Sequence, residues 1–245
     1  MIKAITFDLW DTIYQDEKQG DEERKNRRLE LIKTSIKQAG YVFSEESIHE
    51  AVADAARQSQ KIWDEQYRTP TAKDRLNMIL STLQIQMDAK DLKILATAIE
   101  DVGYEISPPL FNNSKKVLDS LAKQYPLALI SDTGQTSGRV LREILKRDGL
   151  LSYFQVLTFS DEIGISKPAE KVFYSTLNAL KVNENEAVHV GDNFKKDVVG
   201  ALSIGMRAIH IAAGSNPIHE KNSHYYKVLD IEEIEPIIKG KFIKS

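Results

Sequence analysis

No cysteine occurs anywhere in the 245-residue chain. Disulfides, thiolate zinc sites and cysteine nucleophiles are thereby excluded. No stretch approaches the roughly 18 apolar residues that a membrane span needs. Charge of one sign is also lacking: a formal net charge of -3 and a pI near 6.0 give no global attraction to nucleic acid or anionic membrane. Internal repeats and low-complexity tracts are missing as well. The chain opens directly on the strand-like IKAITF (2–7), without a basic n-region and a long apolar segment. A cytoplasmic protein, with neither nucleic acid nor membrane as partner, is the expectation.

What is present is the composition of a globular protein, 42% hydrophobic and 28% charged. The basic cluster RKNRR (24–28) is flanked by acids, DEE before it and Glu30 after it. It therefore reads as a solvated helix face.

Short aliphatic runs recur along the chain: IKAITF (2–7), PLALIS (126–131), FQVLTF (154–159), EAVHVG (186–191) and MRAIHI (206–211). Continuous apolar runs of this length suit strands buried on both faces of a parallel sheet. Helical patterns at 112–124, 135–147, 168–180 and 194–203 fit crossovers between them. The series of βαβ units predicts an α/β fold with a Rossmann-like, doubly wound, mainly parallel sheet. A late strand (YKVL) and a closing amphipathic helix are expected in NPIHEKNSHYYKVLDIEEIEPIIKG.

About 120 residues separate the first two strands, far more than a crossover needs. Helical spacing in 29–40, 44–67, 71–83 and 88–106 predicts an inserted α-helical domain, with Pro108 and Pro109 at its return hinge. The expected domains are a Rossmann-like core of residues 1–14 and 107–245, and a helical cap of residues 15–106.

Open α/β sheets bind ligands at the carboxyl ends of their strands. The first strand ends in Asp8, the second in Ser131 and Asp132, and the fourth in Gly191, Asp192 and Asn193; SDEIGISKP (160–168) brings Lys167 after the third. Carboxylates with a lysine suit a hard divalent cation and an anionic substrate. Mg²⁺ takes oxygen ligands and few carboxylates, which Asp8 and Asp192 can supply. Lys167 and the Ser131 hydroxyl can hold phosphoryl oxygens while an Asp nucleophile attacks.

These four segments resemble, in order, the motifs of the haloacid dehalogenase-like hydrolase superfamily. FDLWDT (7–12) looks like its nucleophile motif, with Asp8 as nucleophile and Thr12 at the hydroxyl position. LALISD (127–132) is similar to the second motif, with Ser131 as the phosphate-binding hydroxyl and Asp132 as a further substrate-binding residue. SDEIGISKPAEKVF (160–173) resembles the third, with Lys167 as its lysine. VHVGDNFKKDVVGA (188–201) resembles the acidic fourth, with Asp192 on Mg²⁺ and Asp197 supporting the metal site. The helical insertion matches the cap of one large branch.

The resemblance implies a Mg²⁺-dependent phosphatase of a small phosphorylated metabolite, a monomer or homodimer, working through an aspartyl-phosphate. One position departs from it. Active phosphatases of the family carry a second Asp two places after the nucleophile, as acid and then base. Trp10 stands there, and Asp11 falls one place too late. Trp10 can still offer the backbone carbonyl that the family gives to its metal, and its ring can wall the substrate, but indole cannot shuttle a proton. An aromatic there resembles the 2-haloacid dehalogenase branch. Asp192 and Asp197, which that branch loses, and the absence of its halide-binding arginine in KTSIKQAG (33–40) point back to phosphate esters. A phosphate- or metal-binding protein with little turnover is the remaining alternative. Asp11 itself reads as a turn residue, and His189 and His210 as packed or surface histidines.

Overall fold

The structure, a computed structural model, describes residues 1–15, 17–212 and 224–242. Residues 216–223 of the expected C-terminal tract lie outside these. In chain order the elements are β1 (Ala4–Phe7), α1 (Lys18–Gln38), α2 (Glu45–Gln66), α3 (Ala72–Thr82), α4 (Ala89–Glu105), α5 (Ser114–Ala122), β2 (Leu127–Ser131) and α6 (Gly138–Arg147). They continue with β3 (Phe154–Phe159), α7 (Ser160–Ile163), α8 (Glu170–Leu180), β4 (Ala187–Gly191), α9 (Gly200–Ser203), β5 (Arg207–Ile211), β6 (Tyr225–Val228) and α10 (Ile234–Ile237). No helix among the described residues is long and apolar enough to cross a membrane.

The chain divides into two compact units. One comprises Met1–Asp16, Pro108–Asp132 and Leu145–Ser245; the other comprises Glu17–Ser107 and Thr133–Ile144. Sequence patterning places 133–144 in the core, whereas these residues group with the helical unit. Thr136 shows why. Its side chain fills the space beside Gly103 of α4, where a Cβ would lie 2.4 Å from it, and its Oγ1 accepts a hydrogen bond from Arg28 Nη2 at 2.9 Å.

In the first unit six strands form one sheet in the order β3-β2-β1-β4-β5-β6, and every neighbouring pair is parallel. This is the doubly wound fold expected. β1, β2 and β4 are buried at every position, which is why their sequences run apolar without alternation. The chain reverses direction across the sheet between β1 and β4, the topological switch point. Phe7 pairs with Leu129 on one side and Val190 on the other. Asp8, Ser131 and Asp192 thus leave the sheet at the same edge.

The expected helix over 194–203 is broken into two parts. Phe194–Val199 is a π-helical turn, opened by Asn193, whose side chain accepts from the Lys196 N–H; α9 follows. Wide turns of this kind are frequent at functional sites.

The helical unit has its own core, built from Ile32, Ile36, Ala51, Leu76, Ile79 and Ile99 among others. Ser44 caps α2 by accepting from the Ser47 N–H, and Thr71 and Asp74 form a reciprocal capping box on α3. α1 starts at Lys18, eleven residues before the apolar spacing begins at Leu29. This corrects the reading of RKNRR as a solvated face: Arg24 and Arg28 are only 4% and 7% exposed. They continue the i, i+4 stripe of Ile32 and Ile36, and Arg28 donates to the Ile99 carbonyl as well as to Thr136. Trp63 packs edge-on against Tyr67, and Arg68 pairs with Asp74 at 3.1 Å.

Candidate active site

Asp8 follows β1 and is 6% exposed. Its Oδ1 accepts a 2.5 Å hydrogen bond from Lys167 Nζ, and Lys167 is fully buried as well. The same ammonium donates to Asp197 Oδ1 at 2.6 Å. The backbone N–H of Lys167 donates to Asp132 Oδ1 at 2.9 Å, while Lys196 Nζ lies 3.2 Å from the other oxygen of Asp132. Asp132 thereby ties the Lys167 loop to the end of β2 through Oδ1, while Oδ2 has the Lys196 ion pair but no hydrogen bond among the described residues.

Oxygens of Asp8, Asp192 and Asp197 lie within 4.8 Å of one another. Burial pushes the Asp8 carboxyl up to about 8; the Lys167 ammonium opposes this, and Asp197 and Asp192 reinforce it. Burial, then Asp197 and Asp11, raise Asp192 to about 6. Asp197 goes the other way, because Lys167 and His189 outweigh its burial and hold it below the usual carboxylate range. Burial alone would lower Lys167, but the carboxylates around it hold the ammonium above its ordinary value.

Three carboxylates face one buried ammonium; burial raises Asp8 and Asp192 and the neighbouring carboxylates add to that, so a cation among them would be favoured. Every candidate ligand atom is oxygen, as a hard dication requires. Among the described residues, no side-chain hydrogen bond engages the Asp192 carboxylate. Trp10 is half-buried. The bridge between Trp10 and Tyr14 is made by its neighbours, Tyr14 N–H to the Leu9 carbonyl and Asp11 N–H to the Tyr14 carbonyl, which leaves the Trp10 carbonyl uncommitted. Asp197 differs: Oδ1 takes Lys167 and His189, and Oδ2 accepts the Asn193 N–H at 2.9 Å. The residues present thus fit a divalent cation, with carboxylate oxygens of Asp8, Asp192 and Asp197 gathered within 4.8 Å.

Two further site residues are buried hydroxyls with nothing to bind. Thr12 Oγ1 and Ser131 Oγ have no hydrogen-bond partner among the described residues, and both side chains are 1% exposed. An unpaired buried hydroxyl costs free energy that a bound oxyanion would recover. Asp11 adopts a left-handed conformation (φ 50°) with its N–H bonded to Tyr14, as a turn Asp tolerates.

Both histidines are packed, as expected from the sequence, but their partners at the site were not foreseen. His189 in β4 is completely buried, with Nδ1 2.8 Å from Thr6 Oγ1 and Nε2 3.1 Å from Asp197 Oδ1. Burial holds its ring below the ordinary value, so the neutral ring donates through Nε2–H to Asp197 and accepts from Thr6 at Nδ1. His210 in β5 places Nε2 2.7 Å from the Asp192 carbonyl. The available signal was a polar residue inside an otherwise apolar strand, which must find partners when both faces are covered.

The family description haloacid dehalogenase-like hydrolase matches residues 2–205. Glyceraldehyde 3-phosphate phosphatase of Methanopyrus kandleri is 26% identical over 216 residues, 87% of this chain and 85% of that protein. Among solved structures, a 2-haloacid dehalogenase from Pseudomonas syringae superposes with a TM-score of 0.72 at 21% identity, covering 98% of this chain and 99% of the other. A phosphatase of the same superfamily from Thermococcus onnurineus gives 0.66 at 21% identity, with the same coverage. These two structural likenesses establish the fold alone. The chain belongs to the haloacid dehalogenase-like hydrolase family.

Proposed function

We propose that this hydrolase is a Mg²⁺-dependent phosphatase of a small phosphorylated metabolite. The observation that carries the reading is the Asp8 carboxylate, held at 2.5 Å by the buried Lys167 ammonium, with oxygens of Asp8, Asp192 and Asp197 within 4.8 Å of one another. The phosphatase names of relatives such as the Methanopyrus protein support the substrate class.

Asp8 attacks phosphorus; the bond to the leaving oxygen breaks, and an aspartyl-phosphate forms at residue 8. Lys167 and the hydroxyls of Ser131 and Thr12 hold the phosphoryl oxygens, where charge spreads in the transition state. Water then cleaves the acyl phosphate and returns the Asp8 carboxylate. Asp8, Asp192 and the Trp10 carbonyl would hold Mg²⁺, with Asp197 supporting them, and the bound cation would offset repulsion between carboxylate and phosphate. Asp132 orients Lys167 through its backbone, and the Trp10 ring walls the site. Residues 1–14 and 107–245, apart from the 133–144 segment that groups with the helical unit, act as the catalytic core, and 15–106 as the cap domain.

Trp10 supplies no acid, so the leaving group must depart as its anion, and phosphates of acidic alcohols or phenols are the favoured substrates. The dehalogenase reading draws on Trp10, but a retained Asp192 and Asp197 have no task in displacing halide. Both readings meet one assay. Phosphate release from p-nitrophenyl phosphate should require Mg²⁺ and vanish in Asp8→Asn. Metal-independent chloride release from 2-chloropropionate, without phosphatase turnover, would replace this proposal with the dehalogenase. If neither reaction occurs while phosphate analogues raise the melting temperature only with Mg²⁺, the protein binds without turning over.

A further inference from the structure

His189 lies between two valines in β4 and is completely buried. A third valine there would pack in the sheet with no polar group to satisfy. An imidazole costs desolvation unless both ring nitrogens find partners. Both do. The β1–β4 register sets Thr6 opposite His189, and the Thr6 hydroxyl meets Nδ1 at 2.8 Å. Nε2 reaches Asp197 Oδ1 at 3.1 Å. Phe173 stands edge-on to the ring, with centroids 5.2 Å apart, and fixes its plane.

Asp197 Oδ1 is also the atom that receives Lys167 Nζ at 2.6 Å, and that ammonium continues to Asp8 Oδ1 at 2.5 Å. A buried line of contacts therefore runs Thr6, His189, Asp197, Lys167, Asp8. Lysine carries its charge on a flexible four-carbon stem with three rotatable donors. Its direction at Asp8 is only as well fixed as the second carboxylate it grips. The Asn193 N–H holds Asp197 Oδ2, and His189 holds the oxygen that faces Lys167.

We propose that His189 is a positioning residue for this site: it fixes Asp197 and, through it, the orientation of the Lys167 ammonium against Asp8. The inference rests on the reading of Asp8 as nucleophile and Lys167 as phosphate anchor. His189 touches neither substrate nor reacting atoms, so its loss acts on kcat more than on KM. Partners in this outer position are typically worth 10- to 100-fold.

The test compares His189→Leu, His189→Gln and Asp8→Asn in Mg²⁺-dependent hydrolysis of p-nitrophenyl phosphate. His189→Leu should lower kcat by roughly 10- to 100-fold with KM little changed. His189→Gln, whose amide N–H reaches the Nε2 position, should recover most of that loss. Long-range proton–nitrogen correlation spectra of the wild type should show Nε2 protonated and Nδ1 bare. A wild-type kcat in His189→Leu while Asp8→Asn is inactive overturns the role of His189 and leaves the phosphatase reading standing. Equal losses in the Leu and Gln variants, tracking their melting temperatures, reduce His189 to a packing residue and overturn it too. The opposite tautomer also overturns it, because a bare Nε2 cannot hold a carboxylate. Wild-type rates in Asp8→Asn overturn both readings.

Discussion

The Asp197 carboxylate occupies the space that any side chain at Gly191 would need: a Cβ on Gly191 would lie 2.3 Å from Asp197 Cγ. Gly191 ends β4, and the π-helical turn that follows folds Asp197 back beneath it. The glycine is required by this close approach rather than by an unusual backbone angle. Gly191→Ala should displace Asp197 and cost about 1–3 kcal/mol as overpacking, read from urea unfolding. Activity should fall further than stability accounts for, because Lys167 loses one of its two carboxylates. A variant with native stability and native kcat would show that Asp197 can move without consequence.

The raised carboxylates predict how the metal-free protein responds to pH. Asp8 near 8 and Asp192 near 6 both lie above their unfolded value of 3.8. Between these limits the folded state holds more protons than the unfolded state, so their contribution is full below about pH 4 and is lost as pH rises toward 8. Asp197, held low, contributes above its unfolded value and loses that only in acid; Lys167, held high, loses its contribution only above its unfolded 10.5. Below about pH 6.5 the buried His189, held low, opposes Asp8 and Asp192, because its unfolded ring takes up a proton that the folded ring does not; from pH 7 to pH 8 Asp8 sets the slope. Without metal the melting temperature should fall from pH 7 to pH 8, and saturating Mg²⁺ should flatten the fall by replacing the proton. Calorimetry near pH 6 should record proton release on Mg²⁺ binding. A metal-free melting temperature that rises from pH 7 to 8 contradicts the charge balance described for the site.

Trp10 stands where the acid would act, so its replacement by Asp should depend on the leaving group. Trp10→Asp is expected to raise kcat on alkyl phosphates by about 10²-fold or more, the lower range for general acid catalysis. Its effect on p-nitrophenyl phosphate should be much smaller, since that leaving group needs little help. Equal gains on both substrates, or a loss on both, would show that Trp10 serves packing or substrate contact instead.

In the helical unit, Arg28 is buried with hydrogen bonds to the Ile99 carbonyl and the Thr136 hydroxyl. Arg28→Met keeps the stem and removes the donors, and should destabilise by about 1.5–3 kcal/mol, the worth of hydrogen bonds to a charged group. An unchanged denaturation midpoint would return Arg28 to the role of a surface cation.

The sheet was legible because its strands carry their own signal. AITF, LALIS and AVHVG are apolar at nearly every position; Ser131 ends the second, and Asp8 and Asp192 follow the other two in plain view. The long-range pairings were not legible. His189 makes sense only beside Thr6, 183 residues away, and Arg28 only beside Thr136, 108 residues away. The start of α1 was hidden for a related reason: KQGDEERKNRR has no apolar spacing, and its buried positions are arginines whose acceptors come from distant chain. The π-helical turn had no local signature either, since FKKDVVGA satisfies an ordinary helical pattern.

The central claim is that Asp8 carries a covalent phosphoryl group during turnover. Acid quenching of the reaction with p-nitrophenyl phosphate and Mg²⁺, followed by borohydride reduction and peptide mass spectrometry, tests it directly. An acyl phosphate at Asp8 is reduced to homoserine at that position, and the change should be absent without substrate. Steady phosphate release with an unmodified Asp8, or with the label on another residue, would contradict the account.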